Sequence, residues 1–280
     1  MAADTTQLYM PEDDTAELVA QVVKSSAILN LSTEAIGSRA TSTKRVLENY
    51  TIENDAQFHI DRDTPKTIAK DELENVEIDL YPLYKIIKLD EDQANDRTVL
   101  TNLIANRLPA KLAESIDKAV LGAGVTAPTT NFDTFTGSGM TPANVSDYAT
   151  LTAAYSKVFE NDGNATGWIM PNAFLSKLYS MFTTDGLPYF QPGAIGDGMP
   201  LFGATSYFRK GLTNGIVGDW SYTRFALGPS IKLQRIDTGI TLATENKIAY
   251  KCELQFGFRI IDKKKFSVMK PAEATAGAGK

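Results

Sequence analysis

Apolar residues at helical spacing mark an amphipathic helix near the start of the chain. Between Pro11 and Asn30 they share one face, while Asp14 and Glu17 stand at the spacing of a capping box. The apolar face consists of Leu18, Val19, Val22, Val23 and Ala27. The next stretch, Leu31 to Tyr50, is rich in Ser, Thr and charge and has little periodicity. It predicts an extended arm that lies on something else.

A longer helical pattern runs from Arg97 to Val120. Apolar residues recur there at every fourth position, namely Leu100, Ile104, Leu108, Leu112, Ile116 and Val120. Asp96 is the predicted N-cap and Gly122 the predicted residue just past the C-cap. The pattern predicts a rod about 36 Å long. Pro109 should kink it.

Two β-like runs around a polar middle lie between these helices. The first is Gln57 to Ile60, and in the second Val76, Ile78 and Leu80 alternate with acidic residues. The pattern predicts a long hairpin. Its middle, Asp61 to Glu74, carries about as many charged as neutral residues, and loops of that length are usually functional or disordered. We expect it to project into solvent or onto a neighbouring molecule.

The second half of the chain mixes helices with strands. A segment rich in Gly, Thr, Pro and Asn, from Gly122 to Ala143, predicts a boundary between the two halves. The predicted helices are Asp147 to Glu160 and Ala173 to Phe182, the latter capped by Asn172. The predicted strands are Trp168 to Met170, Ile216 to Trp220, Arg224 to Leu227, Ile231 to Ile236 and Lys247 to Ile261.

Composition narrows the class of protein. The chain has 280 residues, 43% of them hydrophobic, which suits one large domain or two modest ones with a packed core. No apolar run reaches the ~18 to 20 residues that a membrane-spanning helix needs. The acidic start lacks the features of a secretory signal. We therefore expect a soluble protein that acts in a cytosol.

The balance of charges bears on nucleic-acid binding. With 28 basic and 34 acidic side chains, the net charge is −6. A protein that grips DNA through its phosphates normally has the opposite sign, which argues against a dedicated DNA-binding protein. An acidic wall around packaged DNA remains compatible with the charge, because weak repulsion leaves the polyanion free to slide.

Few residues could support catalysis or bind a metal. His59 is the only histidine, and its place in a short β run favours a structural role over that of a catalytic base. Cys252, the only cysteine, alternates with large apolar residues and is predicted to be buried. Gly193, Gly196 and Gly198 lack the lysine of a phosphate loop and predict a flexible loop.

Charged clusters are the remaining candidates. The carboxylate groups could bind calcium or act as an acid–base pair, but none has the spacing of a calcium loop. Solvated faces or subunit contacts are favoured for Asp61/Asp63, Asp71/Glu72/Glu74 and Asp90/Glu91/Asp92. For the basic run Lys263, Lys264 and Lys265, a solvated turn or intersubunit pairing is favoured over nucleic acid. The sequence thus predicts no catalytic, cofactor-binding or metal-binding residue.

Five segments occur in an order that resembles one protein family. The family is that of tailed-phage major capsid proteins. Its N-terminal arm resembles the segment LYMPEDDTAELVAQVVKSSAILNLS, and its extended loop resembles AQFHIDRDTPKTIAKDELENVEIDLYPLYKIIKLDED. Its long helix is similar to DRTVLTNLIANRLPAKLAESIDKAVLGAG, which includes Asp117. GWIMPNAFLSKLYSMFTTDGLPYF resembles the axial domain of that family, and NKIAYKCELQFGFRIIDKKKFSVM its closing strands. Each motif is weak alone, and the specificity lies in their order.

The resemblance implies a fold and a division into parts. The fold is the α+β, Hong Kong 97-type capsid fold. The parts are an N-terminal arm and helix (1–54), an extended hairpin loop (55–92), a peripheral domain with the spine helix (93–143 and 235–280) and an axial domain (144–234).

The resemblance also implies a function. The chain would be a structural subunit, not an enzyme, that self-assembles into pentamers and hexamers of an icosahedral phage capsid around packaged double-stranded DNA. Implied partners are portal and scaffolding proteins, a decoration protein and weak, non-specific contact with DNA, with no membrane and with assembly in the cytoplasm of a bacterial host. Three alternatives stay open: an encapsulin-like shell that holds protein cargo, a carboxylate-dependent hydrolase, and a minor decoration or tail protein.

Two features of the family do not transfer directly. Some members carry a long N-terminal scaffolding segment, whereas a short arm precedes the hairpin here, which implies a separate scaffolding protein or none. Some members join subunits by a covalent Lys–Asn bond. Lys66 or Lys70 could serve near the hairpin tip, but no matching motif places the partner Asn.

Overall fold

A computed structural model of the protein describes residues 12–35, 39–40, 43–51, 72–96, 103–136, 139–191, 193–236 and 240–271. The helices are α1 Glu12–Ser25, α2 Ala27–Leu31, α3 Glu91–Asn95, α4 Leu108–Val120, α5 Tyr148–Glu160, α6 Asn172–Tyr179 and α7 Ile240–Glu245. A π-helical turn, Leu103–Arg107, precedes α4, and 3-10 turns form at Trp220–Tyr222 and Lys263–Lys265. Within these ranges, no helix has both the length and the apolar character to cross a membrane.

The strands complete an α+β architecture, as the sequence predicts. They are β1 Thr33–Glu34, β2 Arg39–Ala40, β3 Lys44–Thr51, β4 Glu72–Asp79, β5 Tyr81–Asp90, β6 Ala143–Val145, β7 Gly167–Pro171, β8 Met199–Leu201, β9 Ala204–Arg209, β10 Gly215–Gly218, β11 Thr223–Leu227, β12 Lys232–Ile236, β13 Lys247–Ile260 and β14 Phe266–Pro271. They form sheets of five, six and three strands.

The five-stranded sheet is organised around β13. This strand pairs antiparallel with β5 along residues 247–256, with β12 along 249–253 and with β11 along 256–260. Its even-numbered side chains from Ile248 to Phe258 are buried, which the strict alternation in the sequence predicts. β1 extends the sheet by pairing in parallel with β11.

The six-stranded sheet has the order β6-β14-β10-β7-β9-β8 and lies between two cores. Ile169, Ile216 and Val268 face a core that also contains α1, α2 and α4. Trp168 and Met170 face the opposite core, which contains apolar residues of α5 and α6. Because both faces are covered, every residue of β7 is buried.

The smallest sheet corrects the interpretation of the arm. Lys44–Thr51, predicted to be part of an extended arm, is a strand that pairs with β4 along all eight residues, and β2 pairs with its start. This pairing is long-range, so local periodicity in the arm gave no sign of it. The predicted strand Gln57 to Ile60 and residues 61–71 of the predicted hairpin tip lie outside the described residues.

The first predicted helix is divided in two. Ser26 has an extended backbone (φ −88°, ψ 129°), and its side chain accepts a hydrogen bond from the Leu29 N–H, so it caps α2. α1 begins at Glu12, two residues before Asp14, and the predicted capping box at Asp14 is therefore wrong. Leu18 and Val22 are buried, as the periodicity predicts.

The long helix also departs from its prediction at the N-terminal end. Asp96 is the C-cap of α3. Residues 97–102 lie outside the described ranges, so the predicted N-cap at Asp96 and the predicted start of the helix at Arg97 stay predictions. Pro109 stands in the first turn of α4, where its missing N–H breaks no helical hydrogen bond, and the π-helical turn lies directly before it. The predicted kink at Pro109 stays a prediction. The predicted C-terminal end at Gly122 is confirmed by its φ of +69°.

Other boundaries shift by small amounts. The helix predicted from Asp147 to Glu160 is confirmed as α5 and begins one residue later, because Asp147 is its N-cap and forms a full capping box with Thr150. Asn172, predicted as a cap, is the first residue of α6, which Pro171 precedes without a side-chain cap. β10 ends at Gly218, so Trp220 lies in a 3-10 turn and not in the predicted strand.

Sheet membership crosses the predicted boundary between axial and peripheral parts. β11 and β12, from the predicted axial part 144–234, pair with β13. β14, from the predicted peripheral part 235–280, pairs with β10 and β6 instead. The turn at Lys263–Lys265 carries the chain from one sheet to the other. The division into domains stays a prediction.

Gly122 and Gly124 allow a test of how the C-terminal end of α4 is packed. Both have positive φ (+69° and +76°), but a Cβ at Gly122 would overlap the Thr136 side chain, whereas one at Gly124 meets nothing within 4 Å. Gly124→Ala should lower the free energy of unfolding by about 1–2 kcal/mol through backbone strain alone. Gly122→Ala should cost about 1–3 kcal/mol more because of the overlap.

Urea unfolding of the unassembled subunit, followed by tryptophan fluorescence, measures both variants. Equal losses for the two alanine variants would contradict the packing of Gly122 against Thr136.

Candidate assembly surfaces

A buried carboxylate joins the N-terminal helices to α4. Asp117 is 2% exposed. Its Oδ1 accepts hydrogen bonds from Ser26 Oγ at 2.6 Å and the Ile28 N–H at 3.1 Å, and its Oδ2 accepts from the Ala27 N–H at 3.1 Å. Asp117 thus supplies acceptors to the N-terminus of α2, where backbone N–H groups lack helical partners. We name Asp117, Ser26, Arg209 and Asp197 the central joint.

Arg209 extends the central joint to the six-stranded sheet. From the end of β9 its Nε donates to Asp117 Oδ2 at 3.2 Å, while Nη1 donates to both oxygens of Asp197 at 2.8 and 3.1 Å. Asp197 also accepts from the Phe208 N–H at 2.9 Å. Gly193, Gly196 and Gly198 therefore belong to a loop that Asp197 attaches to β9.

Burial dominates the electrostatics of the joint. Desolvation raises the pKa of the Asp117 carboxyl above its ordinary value, and the hydrogen bonds that it accepts and the Arg209 guanidinium oppose that shift. A buried carboxylate whose partners are removed is strongly unfavourable. The contacts of Asp117 consequently hold α2, α4 and β9 in one arrangement.

The base of the β3–β4 hairpin is fixed to β13 by a second polar cluster. Lys44 Nζ lies 3.1 Å from Glu77 Oε2 and 3.6 Å from Asp79 Oδ1, and the hydrogen bond to Glu77 is the main cause that raises the pKa of Lys44. Asn131 Nδ2 donates to Asp79 Oδ2 at 3.1 Å, and Arg259 Nη1 donates to Asn131 Oδ1 at 3.3 Å. The hairpin thus has a firm attachment.

Gly257 makes this attachment possible. A Cβ at Gly257 would lie 2.5 Å from the carbonyl oxygen of Asp79 and 2.7 Å from Ile78 Cγ2. Any larger residue would push the end of β4 away from β13. The loop that carries Asn131 is also attached to β13, since the Asp133 N–H donates to the Phe258 carbonyl at 2.9 Å.

Exposed apolar residues stand on the turn that follows α6 and on β8, the edge strand of the six-stranded sheet. We name this surface the axial patch and define it by Phe182, Leu187, Tyr189 and Met199. Leu187 is 65% and Phe182 56% exposed. The segment folds back on itself, because the Thr183 N–H donates to the Leu187 carbonyl at 2.7 Å and the Tyr189 N–H to the Met181 carbonyl at 3.0 Å. The Tyr189 ring stacks on Tyr148 at 4.0 Å.

A second exposed surface lies on β5. Tyr84 is 61% and Ile86 46% exposed, on the face of the strand opposite the core. Their strand partners on β13 are Glu253 and Lys251, which form an ion pair at 2.5 Å. Lys251 Nζ also lies over the Tyr84 ring, 5.9 Å from its centroid. The surface combines apolar groups with paired charges.

Only some of the candidates for chemistry lie in the part of the chain that the structure describes. His59, Asp61, Asp63, Lys66, Lys70 and Asp71 lie outside the described residues. Cys252 is buried, and desolvation raises the pKa of its thiol to about 11, which suits a packing role. Asp90, Glu91 and Asp92 are exposed at the start of α3. Among the described residues, no three His, Cys, Asp or Glu side chains converge as a metal site would require.

A sequence model of the phage capsid family matches residues 7–270, which is nearly the whole chain. The chain belongs to the phage capsid family. The capsid protein is thus a structural subunit, and its architecture is the α+β fold of phage capsid proteins. A search among curated proteins found no match.

Solved structures agree with this fold. A chain of Gordonia phage Cozz is 20% identical, with a TM-score of 0.63, and the match covers 89% of the capsid protein and 87% of that chain. A chain of Microbacterium phage Oxtober96 is 15% identical, with a TM-score of 0.64 and coverage of 97% and 96%. A capsid chain of an empty GTA particle, computed with C5 symmetry, is 15% identical, with a TM-score of 0.62 and coverage of 97% and 94%.

Asp117→Asn should destabilise the capsid protein. The amide keeps the shape of the carboxyl but loses its charge and sets an N–H₂ group against donors, so we expect a loss of about 2–4 kcal/mol in the free energy of unfolding. Glu114→Gln, one turn earlier on the exposed side of α4, is the matched control and should lose less than about 0.5 kcal/mol. Chemical denaturation measures both, and equal losses would contradict the role of Asp117.

Glu114 gives a prediction about pH. Its hydrogen bond from Lys111, at 2.7 Å, is the largest cause that lowers the pKa of Glu114 to about 2, and Lys118 contributes. Because this lies below the ordinary value of 4.5, the stabilisation is complete above pH 4.5 and disappears as pH falls toward 2.

The stability difference between the wild type and Glu114→Gln should therefore be a few tenths of a kcal/mol at about pH 7, begin to fall below about pH 4.5 and approach zero near about pH 2. Thermal unfolding across this range measures it, and a difference that grows on acidification would refute the assignment.

Proposed function

We propose that this capsid protein self-assembles into pentamers and hexamers of an icosahedral shell that encloses packaged double-stranded DNA. The observation that carries the proposal is the axial patch. Its exposed Phe182 and Leu187 stand on a tightly hydrogen-bonded turn, so apolar groups are held in water by a rigid support. Exposed apolar surface of this kind is typical of a protein interface. A ring of copies would cover it.

The hairpin supplies the second proposed contact. Its base is anchored to β13 through Asn131 and Gly257. In the proposal, this anchor sets the direction of the segment between β3 and β4, and the outer part of the hairpin lies on an adjacent subunit. The parts 1–54, 55–92, 93–143 with 235–280, and 144–234 would then act as arm, hairpin, peripheral and axial regions, and the axial region would surround the five- and six-fold axes. The C5 symmetry of the GTA particle supports a five-fold ring.

The proposal includes partners and a place of action. Portal and scaffolding proteins, and a decoration protein, would bind the shell, and assembly would take place in the cytoplasm of a bacterial host before the subunit becomes part of the virion. The net charge of −6 suits weak, non-specific contact with the packaged DNA.

Electron microscopy of the purified protein tests the proposal. Closed icosahedral particles of uniform diameter are the expected result. A strictly monomeric protein under all assembly conditions would overturn it. Particles purified from an expressing host that hold protein cargo and no nucleic acid would instead indicate an encapsulin-like shell.

Deleting residues Arg62 to Lys70 should abolish or deform the particles while the subunit stays folded. The expected reason is loss of the contact between the hairpin and its neighbour. A variant in which Gly and Ser replace the same residues is the control for connection length. Circular dichroism checks the fold, and normal particles from the deletion variant would refute the role of the hairpin.

A further inference from the structure

A basic pocket lies where the chain passes from β13 to β14. Its volume is about 270 Å³. Lys157, at the end of α5, and Lys263 and Lys264, in the 3-10 turn, line it together with Asn161, while its apolar side is formed by Met140, Phe266 and Val268. Among the residues that the structure describes, no carboxylate lines the pocket. We use the name basic pocket for this site.

The three lysines of the basic pocket are not neutralised within the described part of the chain. Their ammonium groups form no ion pair or hydrogen bond with another described residue. The adjacent Lys265 is engaged differently, since its Nζ donates to the Asn161 carbonyl at 2.5 Å and lies over the Tyr222 ring. Asp262 accepts from the Lys264 N–H at 2.9 Å and so holds the turn in shape.

An acidic turn lies beside the first residue of β13, at the opposite end of that strand from the basic pocket. Asp90, Glu91 and Asp92 are exposed, and their carboxylates form no ion pair with a described residue. The nearby lysines are engaged elsewhere, because Lys88 and Lys247 both pair with Glu245, at 3.6 and 3.4 Å. The acidic turn therefore presents to solvent a negative charge that no described residue compensates.

The two charged sites cannot meet within one molecule. Asp90 pairs with Lys247 at the first residue of β13, and the basic pocket follows Ile260 at the last. At about 3.3 Å per residue, the strand separates them by about 40 Å, several times the distance over which salt leaves a charge unscreened. The two sites therefore do not neutralise each other, and no other described residue neutralises either one.

We propose that the acidic turn of one subunit docks into the basic pocket of an adjacent copy. The inference rests on the proposed shell assembly and identifies one of its contacts. Two different surfaces meet, so the contact is head-to-tail, and such contacts generate closed rings when the rotation closes. The net negative charge of the chain favours a protein carboxylate over a DNA phosphate as the occupant.

Charge reversal tests the docking. The variants are Lys263→Glu with Lys264→Glu (pocket reversal), Glu91→Lys with Asp92→Lys (turn reversal), and the four changes combined. Each reversal alone should raise the protein concentration needed for assembly by about tenfold or more, because like charges then face each other. The combined variant should assemble within about threefold of the wild type.

An equimolar mixture of the two single reversals provides a second measurement. In the mixture each altered pocket meets an altered turn, so particles or, by analytical ultracentrifugation, heterologous oligomers should form although neither variant associates alone. Lys24→Glu with Lys210→Glu, at two exposed sites elsewhere, is the control of equal charge change and should assemble as the wild type does. Thermal unfolding verifies that every variant is folded.

The outcomes separate the inference from the proposed function. If the wild type forms no particles, the shell proposal fails, and the mixture in the ultracentrifuge still decides the docking. Normal assembly of both reversals, or no recovery in the combined variant and the mixture, would overturn the docking. Normal shells of the pocket reversal that retain less DNA would also overturn it, since the pocket would then bind phosphate.

Discussion

The arrangement of the subunit depends on one buried carboxylate. Burying Asp117 costs several kcal/mol of lost hydration, and only the donors converging on it offset that cost. These donors come from Ser26, Ala27 and Ile28 at one end of the chain and from Arg209 in the six-stranded sheet. A geometry that moves any of them away leaves an uncompensated charge. The joint therefore selects one orientation of helices and sheet where apolar packing alone would accept several.

That selection has a consequence for the surfaces. Arg209 also holds Asp197, whose loop lies in the same region of the sheet as Met199 of the axial patch. The hairpin base is fixed to β13 through Asn131 and Arg259, on the other sheet. The interior of the subunit thus sets the directions in which its contact surfaces point. A shell built from many modest contacts needs such fixed directions, because small angular errors add up around a closed surface.

Local patterns predicted the elements whose causes are local. The alternation along β13, the helix α5 and the glycine that ends α4 at Gly122 could all be derived from the sequence. What failed was long-range: the partner of β3, the return of β14 to the six-stranded sheet and the contact of Asp117 with Ser26, 91 residues away. An acid beside the apolar face of a predicted helix was the one available signal for Asp117. Periodicity does not indicate which distant donor forms a hydrogen bond with that carboxylate.

The position of β13 in the chain also constrains when the subunit can fold. β1, β5, β11 and β12 all precede it, and the last three require it as a pairing partner. During translation, these strands lack their central pairing partner until residues 247–260 have left the ribosome. Such high contact order delays folding of this sheet until β13 is available. A product truncated before Lys247 therefore lacks the strand that joins β5, β11 and β12, and its five-stranded sheet cannot form.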